Sequence, residues 1–262
     1  MPTTSDADVT SRGHAAKAST EDHDPTKPAP TRQRPFLLEL YGTAVGKKYA
    51  MAITGIVLMG YVLAHLLGNL KLYLGAASID SYGLWLRESL GYPILPHTAT
   101  LWIMRIGLLA AFVLHIVAAY QLTVMNKRAR TVGYSAKRDY QAADFAARTM
   151  RWTGVIVLLF VIYHLADFTW GVEVVNPDFE HGAVYANVVA SFSRPGVAAW
   201  YILANLALGV HLYHGAWSLF QSMGWNNRGL NHLRRGFATG FAVLITVGNI
   251  SFPIAVLTGI VG

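Results

Sequence analysis

The sequence predicts an all-α membrane protein with five transmembrane helices. Hydrophobic residues make up 53% of its 262 residues and charged residues only 13%. The apolar residues are grouped into runs that exceed the ~20 residues needed to span a hydrocarbon core ~30 Å thick. The chain contains no cysteine, which excludes disulfides, thiolate metal ligands and covalently attached c-type haem.

The order of the elements follows from where the composition changes. Residues 1–35 are rich in Pro, Ser, Thr, Asp and Lys, so they cannot bury enough apolar surface to fold. We predict a disordered cytoplasmic tail there and a single membrane domain over residues 36–262. The five predicted spans are helix I at 48–74, helix II at 100–125, helix III at 151–171, helix IV at 196–223 and helix V at 236–260.

The net charge of +7 bears on orientation and on partners. In a soluble protein it would suggest nucleic acid, but we find no nucleic-acid motif and expect no such partner. In a membrane protein, excess Lys and Arg mark the cytoplasmic loops. We therefore predict a cytoplasmic N-terminus in a multi-pass protein of the cell inner membrane. The basic residues of the II–III and IV–V loops are Lys127, Arg128, Arg130, Lys137, Arg138, Arg148, Arg151, Arg228, Arg234 and Arg235.

Helices I to IV each carry a histidine well inside the apolar run, and helix V carries none. A single histidine in a membrane helix is most often a hydrogen-bonded packing residue, but four helices each supplying one is unusual. At ~1.5 Å per residue, His65 and His164 lie ~9–14 Å from the outer helix ends, and His115 and His211 lie ~21–24 Å from them. We predict an outer pair (His65 and His164) and an inner pair (His115 and His211), with their levels ~10–14 Å apart.

Two pairs of imidazoles at two depths suit two stacked haems, each held by one histidine on either side. Ligation by two histidines leaves no open axial position and favours electron transfer over oxygen chemistry. His214, one turn beyond His211, is farther from the level of His115. We therefore interpret His211 as the ligand, and His214 as a hydrogen-bonding neighbour or a residue near a haem propionate.

Four stretches resemble the cytochrome b membrane anchor of succinate dehydrogenase and fumarate reductase, in its single-chain, five-helix, two-haem form. They are GYVLAHLLGN, FVLHIVAAYQL, RWTGVIVLLFVIYHLAD and GVHLYHGAWSLFQSMGW, within residues 40–260. The resemblance implies that His65 and His164 bind the iron of a distal haem b, and His115 and His211 that of a proximal one. It implies an iron–sulfur subunit and a flavoprotein subunit as partners, a role in electron transport and the tricarboxylic acid cycle, and a membrane quinone, menaquinone rather than ubiquinone.

The resemblance also points to candidates for proton chemistry at the quinone. Glu88 and Asp167 are candidate proton acceptors. Equally simple interpretations are that Glu88 is a solvated loop carboxylate and that Asp167 caps helix III. Some relatives carry a glutamate, tied to a transmembrane proton route, two residues before the fourth ligand. This chain has Gly209 there, which argues against that route.

Haem propionates need cationic or hydrogen-bonding partners. Arg151 and Trp152 at the inner end of helix III, and Arg105 near the outer end of helix II, are candidates. Snorkelling of the two arginines to the membrane surface is the alternative interpretation.

Two other functions stay open on the sequence. A diheme cytochrome b of another dehydrogenase, of the formate dehydrogenase or hydrogenase type, would share the haem chemistry and dock a different soluble subunit. A haem-free transporter could use membrane histidines for proton coupling, but it would want an acidic residue at mid-depth. No Asp or Glu lies at mid-depth, and helix V offers only Asn249.

Overall fold

A computed structural model describes residues 35–129, 145–225, 227, 229 and 231–262. Within these ranges the chain is helical, without a strand. The tail predicted over residues 1–35 lies, apart from Pro35, outside the described residues. The helices are α1 (Phe36–Gly42), α2 (Ala44–Asn69), a 3₁₀ turn (Leu70–Leu74), α3 (Ala76–Glu88), α4 (Ala99–Arg128), α5 (Phe145–Phe168), α6 (Val184–Phe192), α7 (Pro195–Ser222) and α8 (Asn231–Leu257).

Five of these segments are long and apolar enough to cross a membrane. They correspond one to one to the five predicted spans, so the prediction of an all-helical chain with five helices able to span a membrane is confirmed for the described residues. Helix V begins and ends a few residues earlier than predicted. The segments are Ala44–Leu74, Ala99–Arg128, Thr149–Phe168, Pro195–Ser222 and Asn231–Leu257.

The spans pack as two helix pairs. Helix α2 lies along α4, α5 lies along α7, and α8 packs against α7 and also contacts α2. Across the two pairs, α2 and α5 have at most scattered backbone contacts, and the same is true of α4 and α7. Helices in direct contact have axes 8–10 Å apart. Helices α2 and α5, and likewise α4 and α7, are therefore farther apart than packed neighbours are, whereas α2 and α7 contact each other across the two pairs.

Small residues bring α7 and α8 together. Ala204 and Ala216 on α7 and Ala238 on α8 are fully buried. A Cβ atom added at Gly209 would lie 2.2 Å from the hydroxyl oxygen of Thr246 on α8. Close approach at small residues is the usual way in which helices associate in lipid. The tight contact gives a packing reason for glycine at position 209, where a glutamate side chain has no room.

One end of the bundle is covered by α3 and α6, which pack on each other. The charge distribution predicts this end to be the outer one. A carboxylate oxygen of Asp80 accepts a hydrogen bond from the backbone N–H of Tyr185, at 2.9 Å, in the first turn of α6. An anion in that position satisfies a free N–H and complements the helix dipole. The two outer connections therefore hold each other in place.

Candidate functional site

The four histidines at the predicted positions form two facing pairs. The ring centroids of His65 on α2 and His164 on α5 are 5.8 Å apart. Those of His115 on α4 and His211 on α7 are 6.4 Å apart. Each pair therefore joins one helix of the α2/α4 pair to one helix of the α5/α7 pair. Of the two histidines on α7, His211 is the one whose ring lies against His115.

The spacing of the rings suits a metal ion bound between them. An imidazole nitrogen binds a transition metal at ~2.0 Å, so two rings on opposite sides of one ion have centroids about 6.3 Å apart. The observed distances of 5.8 and 6.4 Å lie close to this value. No group of three or more potential metal ligands occurs among the described residues. A haem iron needs only two ligands from the protein, because the porphyrin supplies four.

A threonine of the neighbouring span holds the ring of His115. The hydroxyl oxygen of Thr54 on α2 lies 3.1 Å from Nδ1 of His115 and 2.7 Å from the carbonyl oxygen of Ala50. Because the hydroxyl proton goes to that carbonyl, the oxygen accepts from Nδ1–H of the ring. This bond places the proton on Nδ1 and leaves the lone pair on Nε2, which is the form of histidine that binds a metal.

The same arrangement recurs on the other helix pair. The hydroxyl oxygen of Thr153 on α5 lies 3.4 Å from Nδ1 of His211. Thr153 is also hydrogen-bonded to the carbonyl of Met150, at 3.0 Å. Its oxygen is therefore the acceptor for Nδ1–H of His211. Both rings of the inner pair are thus set by a hydroxyl one helix away.

A glycine follows each of these threonines and lies beside the same ring. A Cβ atom added at Gly55 would be 3.6 Å from Cε1 of His115, and one added at Gly154 would be 3.5 Å from Cε1 of His211. Both distances are ordinary van der Waals contacts. Larger side chains at either position would press on the ring. The two glycines therefore keep space for the imidazoles of the inner pair.

These contacts reveal a short repeat that the sequence analysis missed. Thr54 and Gly55 precede His65 by the same interval as Thr153 and Gly154 precede His164, in the pattern T-G-x₉-H. The threonine lies at the inner pair, and the histidine, eleven residues later, belongs to the outer pair. At ~1.5 Å per residue, each threonine lies ~16 Å along its helix from that histidine, so the two pairs lie at different levels of the bundle.

The rings of the outer pair have different partners. The hydroxyl oxygen of Tyr201 on α7 lies 3.4 Å from Nδ1 of His164, and the hydroxyl donates to Oδ2 of Asp167 at 2.8 Å. Its oxygen is therefore free to accept from His164. The side-chain amide of Asn69 lies 3.0 Å from Nδ1 of His65 and can present either its oxygen or its nitrogen. Every one of the four Nδ1 atoms thus has a hydrogen-bond partner.

Asp167 is fully buried, with 0% of its surface exposed. Its carboxylate accepts hydrogen bonds from the hydroxyl of Ser191 on α6, at 2.7 Å for the shorter contact, and from Tyr201 on α7. It therefore connects α5 to two other helices. The sequence left two interpretations of Asp167, a proton acceptor at the quinone and a cap of helix III, and neither included these contacts.

The other predicted site residues lie on or near the surface of the chain. Glu88, the last residue of α3, has a side chain 52% exposed, with a carboxylate oxygen 3.9 Å from Nδ1 of the exposed His97. Arg105 is exposed and lies over the ring of Trp102, at 5.2 Å from its centroid. Three further candidates are the half-buried His214 and the exposed Arg151 and Trp152.

Comparisons with protein-family models, curated proteins and solved structures gave no match to this chain.

Proposed function

We propose that this chain is the two-haem cytochrome b membrane anchor of a succinate dehydrogenase or fumarate reductase, and that it carries electrons between an iron–sulfur subunit and a membrane quinone. The observation that supports the proposal is the pair of facing histidine couples, 5.8 and 6.4 Å apart, at two levels of one helix bundle. The helices that carry each facing couple, α2 with α5 and α4 with α7, are not closely packed, which fits a flat ligand between their histidines.

The residues of this chain would bind and orient the two haems. His65 and His164 would hold one, and His115 and His211 the other. When bound, haem supplies a reversible one-electron centre, and two histidine ligands leave no axial position for oxygen. Thr54, which fixes the proton of His115 on Nδ1, keeps Nε2 available as a ligand. Thr153 and Tyr201 would do the same for His211 and His164.

The environment of the rings suits electron transfer within a membrane. The rings of Phe160 and Phe168 lie 5.7 and 5.5 Å from that of His164 and are apolar. Aromatic walls exclude water and lower the local dielectric constant, which is one of the ways in which a protein tunes a haem. Because the two pairs lie at different levels of the bundle, two centres held by them would lie at different depths of a ~30 Å hydrocarbon core.

The type of complex rests on the resemblance of the four histidine stretches. It assigns a flavoprotein subunit and an iron–sulfur subunit as partners, in the cytoplasmic membrane. It favours menaquinone over ubiquinone and leaves open whether succinate oxidation or fumarate reduction is the physiological direction. The absence of cysteine fits this division of labour, since the iron–sulfur clusters would belong to another subunit.

The haem content of the purified chain tests the proposal. We expect a reduced-minus-oxidised spectrum of the b type and about two haems per chain by the pyridine haemochrome assay. His65→Ala should remove one haem and His115→Ala the other, while the control His214→Ala should keep both. Well-folded protein without haem would overturn the proposal, whichever partner it has.

Co-purification tests the type of complex. A flavoprotein and an iron–sulfur subunit that remain bound, together with haem reduced by succinate, would support the succinate dehydrogenase assignment. A molybdenum or nickel subunit would instead identify the chain as the cytochrome b of a formate dehydrogenase or hydrogenase. In that case the proposal of two haems would be retained, and the assignment of the flavoprotein and iron–sulfur partners would be wrong.

A further inference from the structure

A continuous line of hydrogen bonds connects His164 to a buried carboxylate. Nδ1 of His164 lies 3.4 Å from the hydroxyl oxygen of Tyr201, and this hydroxyl donates to Asp167 at 2.8 Å. The inner pair has no equivalent in the contacts described above, because its rings are bound by the neutral hydroxyls of Thr54 and Thr153. The two pairs therefore differ in the charge to which their histidines are connected by hydrogen bonds: a carboxyl group for the outer pair and neutral hydroxyls for the inner pair.

The arrangement around Asp167 fits an ionised carboxylate. Both hydroxyls that face it, from Ser191 and Tyr201, donate to its oxygens. Hydroxyl donors of this kind, with the guanidinium of Arg194 beyond Ser191, stabilise the ionised form of a carboxyl group. Asp167 has 0% of its surface exposed, so its charge is poorly screened.

The guanidinium of Arg194 lies at the other end of this chain of hydrogen bonds, on the side of Asp167 away from His164. The guanidinium of Arg194 donates to the hydroxyl oxygen of Ser191 at 3.3 Å and to the carbonyl oxygen of Val175 at 2.6 Å. It therefore reaches the carboxylate through Ser191, whereas Tyr201 leads from the carboxylate to His164. By these bonds the negative charge is closer to the histidine than the positive charge is, so the two do not cancel at the ring.

We propose that Asp167 is a positioning residue that acts through Tyr201 on His164 and lowers the reduction potential of the centre held by His65 and His164. The inference rests on the proposed function and deepens it. A ligand histidine whose second nitrogen donates towards a carboxylate becomes more basic, and a buried negative charge favours the oxidised metal. Asp167 would then set the potential of the outer centre rather than accept a proton from quinone.

Redox titration of the purified complex with its subunits in place tests the inference. The outer haem is identified as the one that His65→Ala removes. In Asp167→Asn, which keeps the shape of the side chain, we expect the ratio of reduced to oxidised outer haem at a given potential to rise about tenfold, which is ~59 mV for one electron. The potential of the inner haem should stay unchanged.

Two further variants separate charge and hydrogen bonding from packing. Tyr201→Phe removes only the hydroxyl between His164 and Asp167, and we expect the outer potential to rise in the same direction. It should also change the low-temperature EPR g values of the oxidised outer haem. Ser191→Ala removes a hydrogen bond to the same carboxylate but keeps its charge and its bond to Tyr201. It is the matched control for loss of a neighbouring hydrogen bond, and we expect its outer potential to shift much less than that of Asp167→Asn.

Several outcomes would overturn the inference. They are unchanged potentials in both Asp167→Asn and Tyr201→Phe, an equal shift of both haems, or a shift in Ser191→Ala as large as in Asp167→Asn. If Asp167→Asn loses the outer haem altogether, the potential of Tyr201→Phe decides. A wild type with two haems and variants with unchanged potentials would leave the proposed function intact. A wild type without haem would overturn both.

Discussion

The hydroxyl oxygen of Thr54 lies 3.1 Å from Nδ1 of His115, across the contact between α2 and α4. Thr54 is itself bonded to its own helix, through the carbonyl of Ala50. The position of the acceptor is thereby set by backbone rather than by a flexible side chain. This hydrogen bond connects α2 to the ring of His115, a residue that would bind a metal, so changing Thr54 tests the site directly.

Thr54→Val should weaken haem binding at the inner pair, because valine has the shape of threonine but cannot accept from Nδ1–H. Loss of such a partner typically costs 10–100-fold in metal affinity. Haem titration of the apoprotein, followed by absorbance, measures the change. Thr54→Ser keeps the hydroxyl and should bind as the wild type does. Equal affinities for the valine and serine variants would contradict the role of the hydroxyl.

Gly55 should tolerate alanine and reject leucine. A Cβ atom at this position meets Cε1 of His115 at 3.6 Å, an ordinary contact, but a longer side chain has to displace the ring. We expect Gly55→Ala to keep two haems and Gly55→Leu to lose the inner one, as counted by pyridine haemochrome. Gly240→Leu on α8 is the control, because a Cβ atom there meets nothing within 4 Å. Two haems in Gly55→Leu would show that the ring has room to move.

Gly209→Ala should destabilise the bundle by about 1–3 kcal/mol through overpacking against α8. The added Cβ would lie 2.2 Å from the hydroxyl oxygen of Thr246, so the Thr246 side chain or one of the two helices has to shift. Thermal unfolding in detergent measures the loss. Thr246→Ala removes that oxygen and should restore most of the stability in the double variant. If the double variant is no more stable than Gly209→Ala, the contact with the Thr246 hydroxyl is not the cause of the lost stability.

Asp80→Ala should loosen α6 by about 0.5–2 kcal/mol, the usual cost of losing a side-chain acceptor at a helix N-terminus. The carboxylate accepts from the backbone N–H of Tyr185 at 2.9 Å, so its removal leaves that donor unbound. Faster hydrogen exchange of the amides of Val184–Phe192 would report the change. Asp178→Ala, at an exposed position of the same outer connection, should leave the exchange unaltered.

The orientation predicted from loop charge can be tested with single cysteines, since the chain has none of its own. Ser89 lies in the connection after α3 and Asn227 in the connection between α7 and α8, and both are exposed. In intact cells, a membrane-impermeant maleimide should label Ser89→Cys and spare Asn227→Cys, because basic loops stay inside. The reverse pattern would place the N-terminus outside.

The parts of the fold that the sequence predicted correctly follow from the membrane as solvent. Long apolar runs have few alternatives to spanning helices, because lipid offers no partner for a free backbone N–H or C=O. The short helices α3 and α6 were not predicted. They lie in connections of mixed composition, where contacts such as that of Asp80 with Tyr185 decide whether a helix forms.

The candidate site was predictable in part for a similar reason. Buried imidazoles are costly in lipid, so four of them on four spans stand out in the sequence. The hydrogen-bond partners of these imidazoles do not stand out. A threonine in a membrane span can donate its hydroxyl to a backbone carbonyl of its own helix, so its presence alone predicts no contact with a histidine. The spacing T-G-x₉-H, shared by α2 and α5, was the available signal for Thr54 and Thr153.

By itself the sequence determined that five apolar helices form and that His65, His115, His164 and His211 lie at two depths, because hydrophobic length and helical rise are local properties. Only the tertiary structure decided which rings face each other and which groups hold them. Asp167, for example, meets Ser191 and Tyr201 across 24 and 34 residues of chain. Such contacts depend on how whole helices pack, which no local pattern of residues specifies.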